Sequence, residues 1–155
     1  MDVFWQSLIG ATLGTAVGGI LVALIAYWLS KNFAALGETY RIVHNIIDDE
    51  FTERRQQIRT AFKKQEVNVL ANACETDGDT FAVRTKILNL LNYYDAVMHS
   101  VDNHGLKHEI IRDAIWPIIK IDHEIYEEFL AAVSECDELK RPMFPRLRKY
   151  RYMWG

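Results

Sequence analysis

The side chains able to do chemistry gather in one half of the sequence: His99, Asp102, His104 and His108, then Asp122, His123 and Glu127. His104 and His108 are four residues apart, as are His123 and Glu127, a spacing that puts two ligands on one helical face. A metal centre needs further ligands, and no HExxH or CxxC pattern supplies them. These residues therefore read as a solvated polar face, with no metal and no cofactor expected. Asp77-Gly78-Asp79 looks like a piece of a calcium loop but lacks the glutamate that closes one, so it reads as a turn. Nucleophilic chemistry has no better footing. GxSxG is absent, and neither Cys74 nor Cys136 has a sequence context that lowers a thiol pKa. No glycine-rich phosphate loop lies outside the apolar N-terminal stretch. The expectation is a protein that is not an enzyme.

That apolar stretch, Val3 to Ser30, dominates what must position everything else. It contains no Asp, Glu, Lys, Arg or His. At about 1.5 Å per residue, some twenty residues of helix cross a hydrocarbon core. Phe4 and Trp5 at one end and Tyr27 and Trp28 at the other lie about 34 Å apart on that rise, matching two interfacial aromatic belts. A secretory signal would open with basic residues and carry a shorter apolar run, whereas here Asp2 precedes a long one. The stretch reads as a membrane anchor. Lys31 and then Arg41 come after it, and no basic residue precedes it. The positive-inside rule thus puts the N-terminus outside an inner membrane and the remainder in the cytoplasm.

The anchor also carries two rows of small residues. Gly10, Gly14 and Gly18 repeat every four positions, flanked by Ser7, Ala11, Thr15, Gly19 and Ala23. Glycine costs about 1 kcal/mol relative to alanine in a helix interior, so four glycines between positions 10 and 19 call for a purpose. Small-xxx-small rows let helices approach closely in lipid. Gly10, Ala11, Gly14, Thr15, Gly18 and Gly19 are therefore the expected interface of a homo-oligomer, and two adjacent rows permit a closed ring.

The chain has 155 residues and a net charge of −3, which gives no global pull toward nucleic acid. Beyond the anchor about 125 residues remain, enough for one small domain with its own core. Two cysteines in a domain of that size on the cytoplasmic side read as reduced thiols. The expected division is 1–36 for anchor and juxtamembrane segment, 37–141 for a helical bundle, and 142–155 for a basic aromatic tail. Gly37 is the expected break or bend. From Glu38 a helical stripe of Tyr40, Val43, Ile47, Phe51, Ile58 and Phe62 predicts one helix reaching about Leu70. Residues 74–80 form a loop in which Asp77-Gly78 turns the chain and Asp79 or Thr80 caps the next helix. That helix, about Phe81 to Val101, buries Val83, Ile87, Leu90, Leu91, Tyr94 and Val97 or Met98. A turn at 102–105 leads into a helix from about Leu106 to Val133, kinked at Pro117, and these two form an antiparallel hairpin. No stretch alternates with period two, so the fold class is all-α.

The tail brings Arg146, Arg148, Lys149 and Arg151 together with Phe144, Tyr150, Tyr152 and Trp154. Basic and aromatic residues so mixed suit an anionic lipid surface, a nucleic acid backbone with stacking, or packing against an acidic bundle.

Leu91-Asn92-Tyr93-Tyr94-Asp95, the glycine turn after it, a second helix with Arg112 and Trp116, and the basic aromatic end resemble an uncharacterised family. Its members are short bacterial and phage proteins with one N-terminal anchor and a helical cytoplasmic domain. The resemblance runs from about Arg84 to Trp154 and implies a fold but no activity. The architecture is also similar to small membrane effectors and accessory proteins of bacterial anti-phage systems, including those beside RNA-targeting CRISPR nucleases. Some of these pair an anchor with a HEPN-like bundle and assemble into pores. HEPN nucleases carry an arginine, four to six residues, then a histidine. The nearest approach here, Arg41-Ile42-Val43-His44, has too short a gap, which argues against RNA cleavage. The leading expectation is an oligomeric single-pass membrane effector or pore in anti-phage defence. A membrane-tethered module that recruits a soluble protein partner is the alternative, and a HEPN-like membrane RNase the third reading.

Overall fold

Helix α1 runs from Asp2 to Ile47, 46 residues without interruption. The computed structural model describes the backbone of residues 2–103, 105–136 and 143–155, with side chains from Gly19 onward except at Cys136. Eight α-helices and no strand are present among the described residues. The chain falls into two units, residues 1–37 and 38–155.

In the first unit the described side chains from Gly19 to Leu29 are exposed. Gly19 to Ile47 is long and apolar enough to cross a membrane, its most apolar stretch has no buried residue, and a signal sequence would meet the same description. Val22, Tyr27 and Trp28 are 67%, 70% and 64% exposed. Gly37 does not break the helix, because one glycine weakens a helix without ending it. The helix stops at Asp48 instead, where the backbone turns extended (φ −54°, ψ 144°) and the carboxylate accepts the Glu50 N–H at 3.2 Å. A short acidic side chain at that position satisfies one of the donors that a helix start leaves open.

The second unit contains the end of α1 and α2 (Asp49–Phe62), α3 (Val67–Asn72), a 3-10 turn (Glu75–Asp77) and α4 (Asp79–Asp102). The remaining helices are α5 (His108–Ala114), α6 (Trp116–Ile125), α7 (Glu127–Cys136) and α8 (Pro145–Trp154). The break at Asp48 resets the helical phase. Thr39, Ile42 and Ile46 are buried, whereas Tyr40 and Ile47, placed on the inner stripe by the sequence pattern, are 58% and 52% exposed. Beyond the break Phe51, Arg55, Ile58 and Phe62 share one face and turn inward. The helix expected to reach Leu70 ends at Phe62, and α3 is a separate helix.

Helix α4 is the centre of the bundle, packing against α2, α3 and α8, while α3 also packs on α7. Ile87, Leu91, Tyr94 and Met98 of α4 are wholly buried, as are Leu70, Ile111, Ile115, Ile119, Tyr126, Phe129 and Leu147. Phe62 meets the rings of Tyr126 and Phe129 edge-on at 5.1 and 6.3 Å. Gly78 sits at φ +54°, which a side chain tolerates poorly, so the Asp77-Gly78 turn is built as expected. Its caps differ from expectation: Asp77 turns back to accept the Cys74 N–H, and α4 starts at Asp79 without a side-chain cap.

The helix expected from Leu106 to Val133 is three helices. Pro117 lacks a donor, and the backbone bends at Ile115 while the Ile115 N–H still reaches the Ile111 carbonyl at 2.9 Å, a kink as proline requires. A second joint at Tyr126 (φ −99°, ψ 7°) has no proline behind it. The expected hairpin partners also separate in their packing: α4 takes α8, α3 and α2 as its main neighbours, and α5 takes α6.

Candidate functional site

Asp122 on α6 is wholly buried and collects donors from two other helices. One of its oxygens accepts from Arg55 Nε of α2 and the Tyr94 hydroxyl of α4, each at 2.7 Å. The other accepts from Arg59 of α2 through Nε at 2.7 Å and a terminal nitrogen at 2.6 Å. Burial and then the adjacent Asp122 charge push the Tyr94 phenol well above its usual range, keeping it a neutral donor. Burial works to lower the pKa of Arg55, but the bonds to Asp122 and Tyr94 prevail and raise it. A carboxylate offers about four acceptor positions, and here four donors fill them. A base with every lone pair committed has nothing left for a substrate, so this centre acts as a brace joining α2, α4 and α6. The wholly buried Tyr126 hydroxyl, although it feels the Asp122 charge, has no hydrogen-bond partner.

The basic tail forms α8 and packs on the bundle. Pro145 occupies the first turn, where its missing N–H costs nothing. Phe144, at φ +53°, offers no side-chain cap; Asp95 of α4 supplies one from outside, accepting the N–H groups of Arg146 and Leu147 at 2.9 and 3.1 Å. Asp102 then receives the Lys149 ammonium, the Tyr150 hydroxyl at 2.8 Å and, more loosely, Arg146 at 3.8 Å. Glu127 of α7 takes Arg151 through two bonds, 2.6 and 3.1 Å. The bond from Lys149 holds the Asp102 carboxyl below the usual range, and the bond from Arg151 does the same for Glu127. Trp154 packs edge-on against Trp116 at 5.5 Å and His108 at 4.8 Å.

Arg146, Lys149 and Arg151 are therefore paired with bundle carboxylates, while Arg148 is exposed on the outer face of α8. Of the small-residue interface, Gly10, Ala11, Gly14, Thr15 and Gly18 have side-chain positions outside the described residues. At Gly19 an added Cβ meets open space. The histidines disperse. His99 contacts Asn103 at 3.0 Å, His108 sits against α8, and His123 is half-buried with Nδ1 unpartnered. His104 lies outside the described residues. Among the described residues no three His, Cys, Asp or Glu side chains converge on a metal-sized site. Arg41 is engaged by Glu38 at 2.9 Å, and His44 is exposed.

Asp122 overturns the reading of that region as a solvated face. Its signal was present: positions 115, 119, 122 and 126 share one helical phase, and three of them are Ile115, Ile119 and Tyr126 of the core. Arg55 likewise sits in phase with Phe51, Ile58 and Phe62. A charged residue on an apolar stripe, matched by opposite charge on another stripe, is the pattern of a buried brace.

The consecutive residues Tyr93-Tyr94-Asp95 do three separate structural jobs. The Tyr93 ring meets Phe51 of α2 at 5.7 Å, Tyr94 bonds Asp122, and Asp95 caps α8. Together they tie α4 to α2, α6 and α8. No curated protein and no solved structure matches the chain. A family model does match, over residues 13–144, a span that starts inside the apolar helix, well before Arg84, and ends before α8, short of the basic aromatic end that the resemblance included. The chain thus belongs to the family described as a domain of unknown function, DUF4760.

Proposed function

We propose that this chain is a single-pass protein of the inner membrane whose N-terminal helices associate, with the bundle on the cytoplasmic side, forming an oligomeric effector or pore. One observation carries the reading: from Gly19 to Leu29 the helix is apolar and exposed on every side. A helix apolar all round belongs in lipid or against other apolar helices. The glycine rows at positions 10, 14 and 18 supply the close approach that lipid-embedded helices need, and Gln6, Thr12 and Thr15 are the polar groups available to a lumen. Bacterial anti-phage defence is the setting that this architecture suggests.

Native mass spectrometry of the detergent-solubilised full chain tests the proposal. A single species of about five or more copies is expected, a closed ring of helices around a path. Gly14→Leu is expected to break it into smaller particles. A monomer or dimer of the native sequence overturns the pore, and a mass lacking the first residues identifies a cleaved signal instead.

A second reading, a tethered module that recruits a soluble partner, draws support from the outer face of α8. There Arg148 stands exposed beside Tyr152 and Met153, 80% and 58% exposed. Under that reading, protein lacking residues 1–36 retains its partner, and Arg148→Glu with Tyr152→Ala releases it.

A further inference from the structure

Between α2 and α4 lies a groove of about 690 Å³, within the range of small-molecule sites. Both helices furnish it in the same manner. Helix α2 contributes Phe51, Arg54 and Gln57 at intervals of three, and α4 contributes Lys86, Asn89 and Tyr93 at intervals of three and four. Beneath these side chains, Ile58 and Leu90 are buried and give the groove an apolar floor. The Phe51 and Tyr93 rings meet at 5.7 Å and 53°. The lining thus combines an aromatic surface, carboxamides from both walls and two cations, without any carboxylate.

Each component selects something in an occupant. Aromatic faces accept a planar ring. Carboxamides carry a donor and an acceptor side by side and so pair with a ring edge that offers both. A guanidinium and an ammonium, with no acid among them, call for a dianion such as phosphate. Arg54 bonds Glu50 at 2.8 Å, but both side chains are largely exposed, and a phosphate taking two guanidinium donors displaces so weak a pair. A docked protein helix fits less well. The groove follows each helix for only about 15 Å, ten residues at the helical rise, short of what a standard protein interface covers.

We propose that the α2–α4 groove is a binding site for a mononucleotide. Its ring lies against Phe51 and Tyr93, its edge meets Gln57 and Asn89, and its phosphate is held by Arg54 and Lys86.

Isothermal titration of the full chain in detergent with AMP tests this, alongside adenosine, which lacks the phosphate, and ribose 5-phosphate, which lacks the ring. AMP is expected to bind saturably, with each fragment weaker by about tenfold or more, the effect of losing charge-assisted or stacking contacts. Lys86→Glu, at an exposed position, is expected to weaken AMP by at least about tenfold while leaving the circular dichroism and melting curve unchanged. Asn89→Ala is a second exposed variant, expected to shift the preference among AMP, GMP, CMP and UMP. The proposal is overturned if none of the four nucleotides gives saturable heat at millimolar concentration. It is equally overturned if ribose 5-phosphate or adenosine binds as well as AMP, or if Lys86→Glu binds AMP unchanged.

Discussion

Two sets of carboxylates hold this bundle together, and they differ chiefly in depth. Asp122 ties α6 to α2 and α4 from inside the core, sealed from water. Asp95, Asp102 and Glu127 tie α8 to α4 and α7 at the surface, where the Arg151 and Glu127 side chains remain 37% and 55% exposed. Both sets put carboxylates against guanidinium and phenol, and the surface set adds the Lys149 ammonium. What separates them is whether water can take over a broken bond. At the surface it can. In the core Arg55 has almost no access to water and Arg59, 26% exposed, only a little, so the same bond becomes harder to lose.

The largest effect should therefore come from Asp122→Ala, which leaves Arg55, Arg59 and the Tyr94 hydroxyl facing one another without an acceptor. Breaking a buried charge network typically costs about 3–5 kcal/mol, to be read from urea unfolding monitored by circular dichroism. Tyr94→Phe removes one donor of four and should cost nearer 1 kcal/mol. If Asp122→Ala costs no more than Glu127→Ala, the contrast between the two sets is wrong.

Next in size is Asp95→Ala. Asp95 caps α8 from outside, and loss of a capping side chain costs about 1 kcal/mol. The damage should be local. Hydrogen exchange at the Arg146 and Leu147 amides is expected to accelerate, while the amides around Ile87 and Leu91 keep their protection. Uniform acceleration across α4 would make Asp95 part of the inner brace and erase the distinction.

These contrasts also mark where sequence reasoning succeeds. The all-α class, the apolar N-terminal helix, the Asp77-Gly78 turn and the face of α4 follow from local periodicity, and each is present. The stripe before Asp48 fails by one position, because a single extended residue shifts the helical phase, and Asp48-Asp49-Glu50 looks as suited to a helix surface as to a helix start. Pro117 announces its kink, but the joint at Tyr126 carries no residue that demands it. Asp122 is legible only when two stripes are read together, since its partners lie 67, 63 and 28 residues away in sequence. The basic tail is the reverse case. Its charges suggest an external partner, yet three of its four cations find carboxylates of the bundle, whose identity only the tertiary fold reveals.

Acidity separates the two sets further. Asp102 and Glu127 have lowered pKa values in the fold, chiefly through Lys149 and Arg151. A lowered carboxylate pKa contributes stability that is complete above the unfolded value and lost as pH falls through the folded one. The α8 joint should thus hold at neutrality and loosen below the ordinary carboxylate values of 3.8 and 4.5. His123 acts earlier. Burial first, and then the Arg151 charge, lower its pKa from 6.5, against the opposing pull of Glu127 and Glu124. The folded state therefore disfavours its protonated form, and stability should begin to fall as pH drops below 6.5. His123→Gln is expected to flatten that upper part of the pH profile and leave the carboxylate part intact.

The smallest effect concerns the Glu127–Arg151 pair alone. Two bonds of 2.6 and 3.1 Å suggest strength, yet exposed pairs contribute about 0–1 kcal/mol once solvent and side-chain entropy are counted. A double-mutant cycle of Glu127→Ala and Arg151→Ala should give a coupling in that range. It should shrink when salt is raised, because the screening length falls to about 3 Å at molar concentration. A cycle across Asp122 and Arg55 should be several times larger and nearly indifferent to salt, since no ion reaches that centre. Geometry alone ranks the two pairs as equals; burial ranks them apart, and the salt dependence decides which ranking describes the protein.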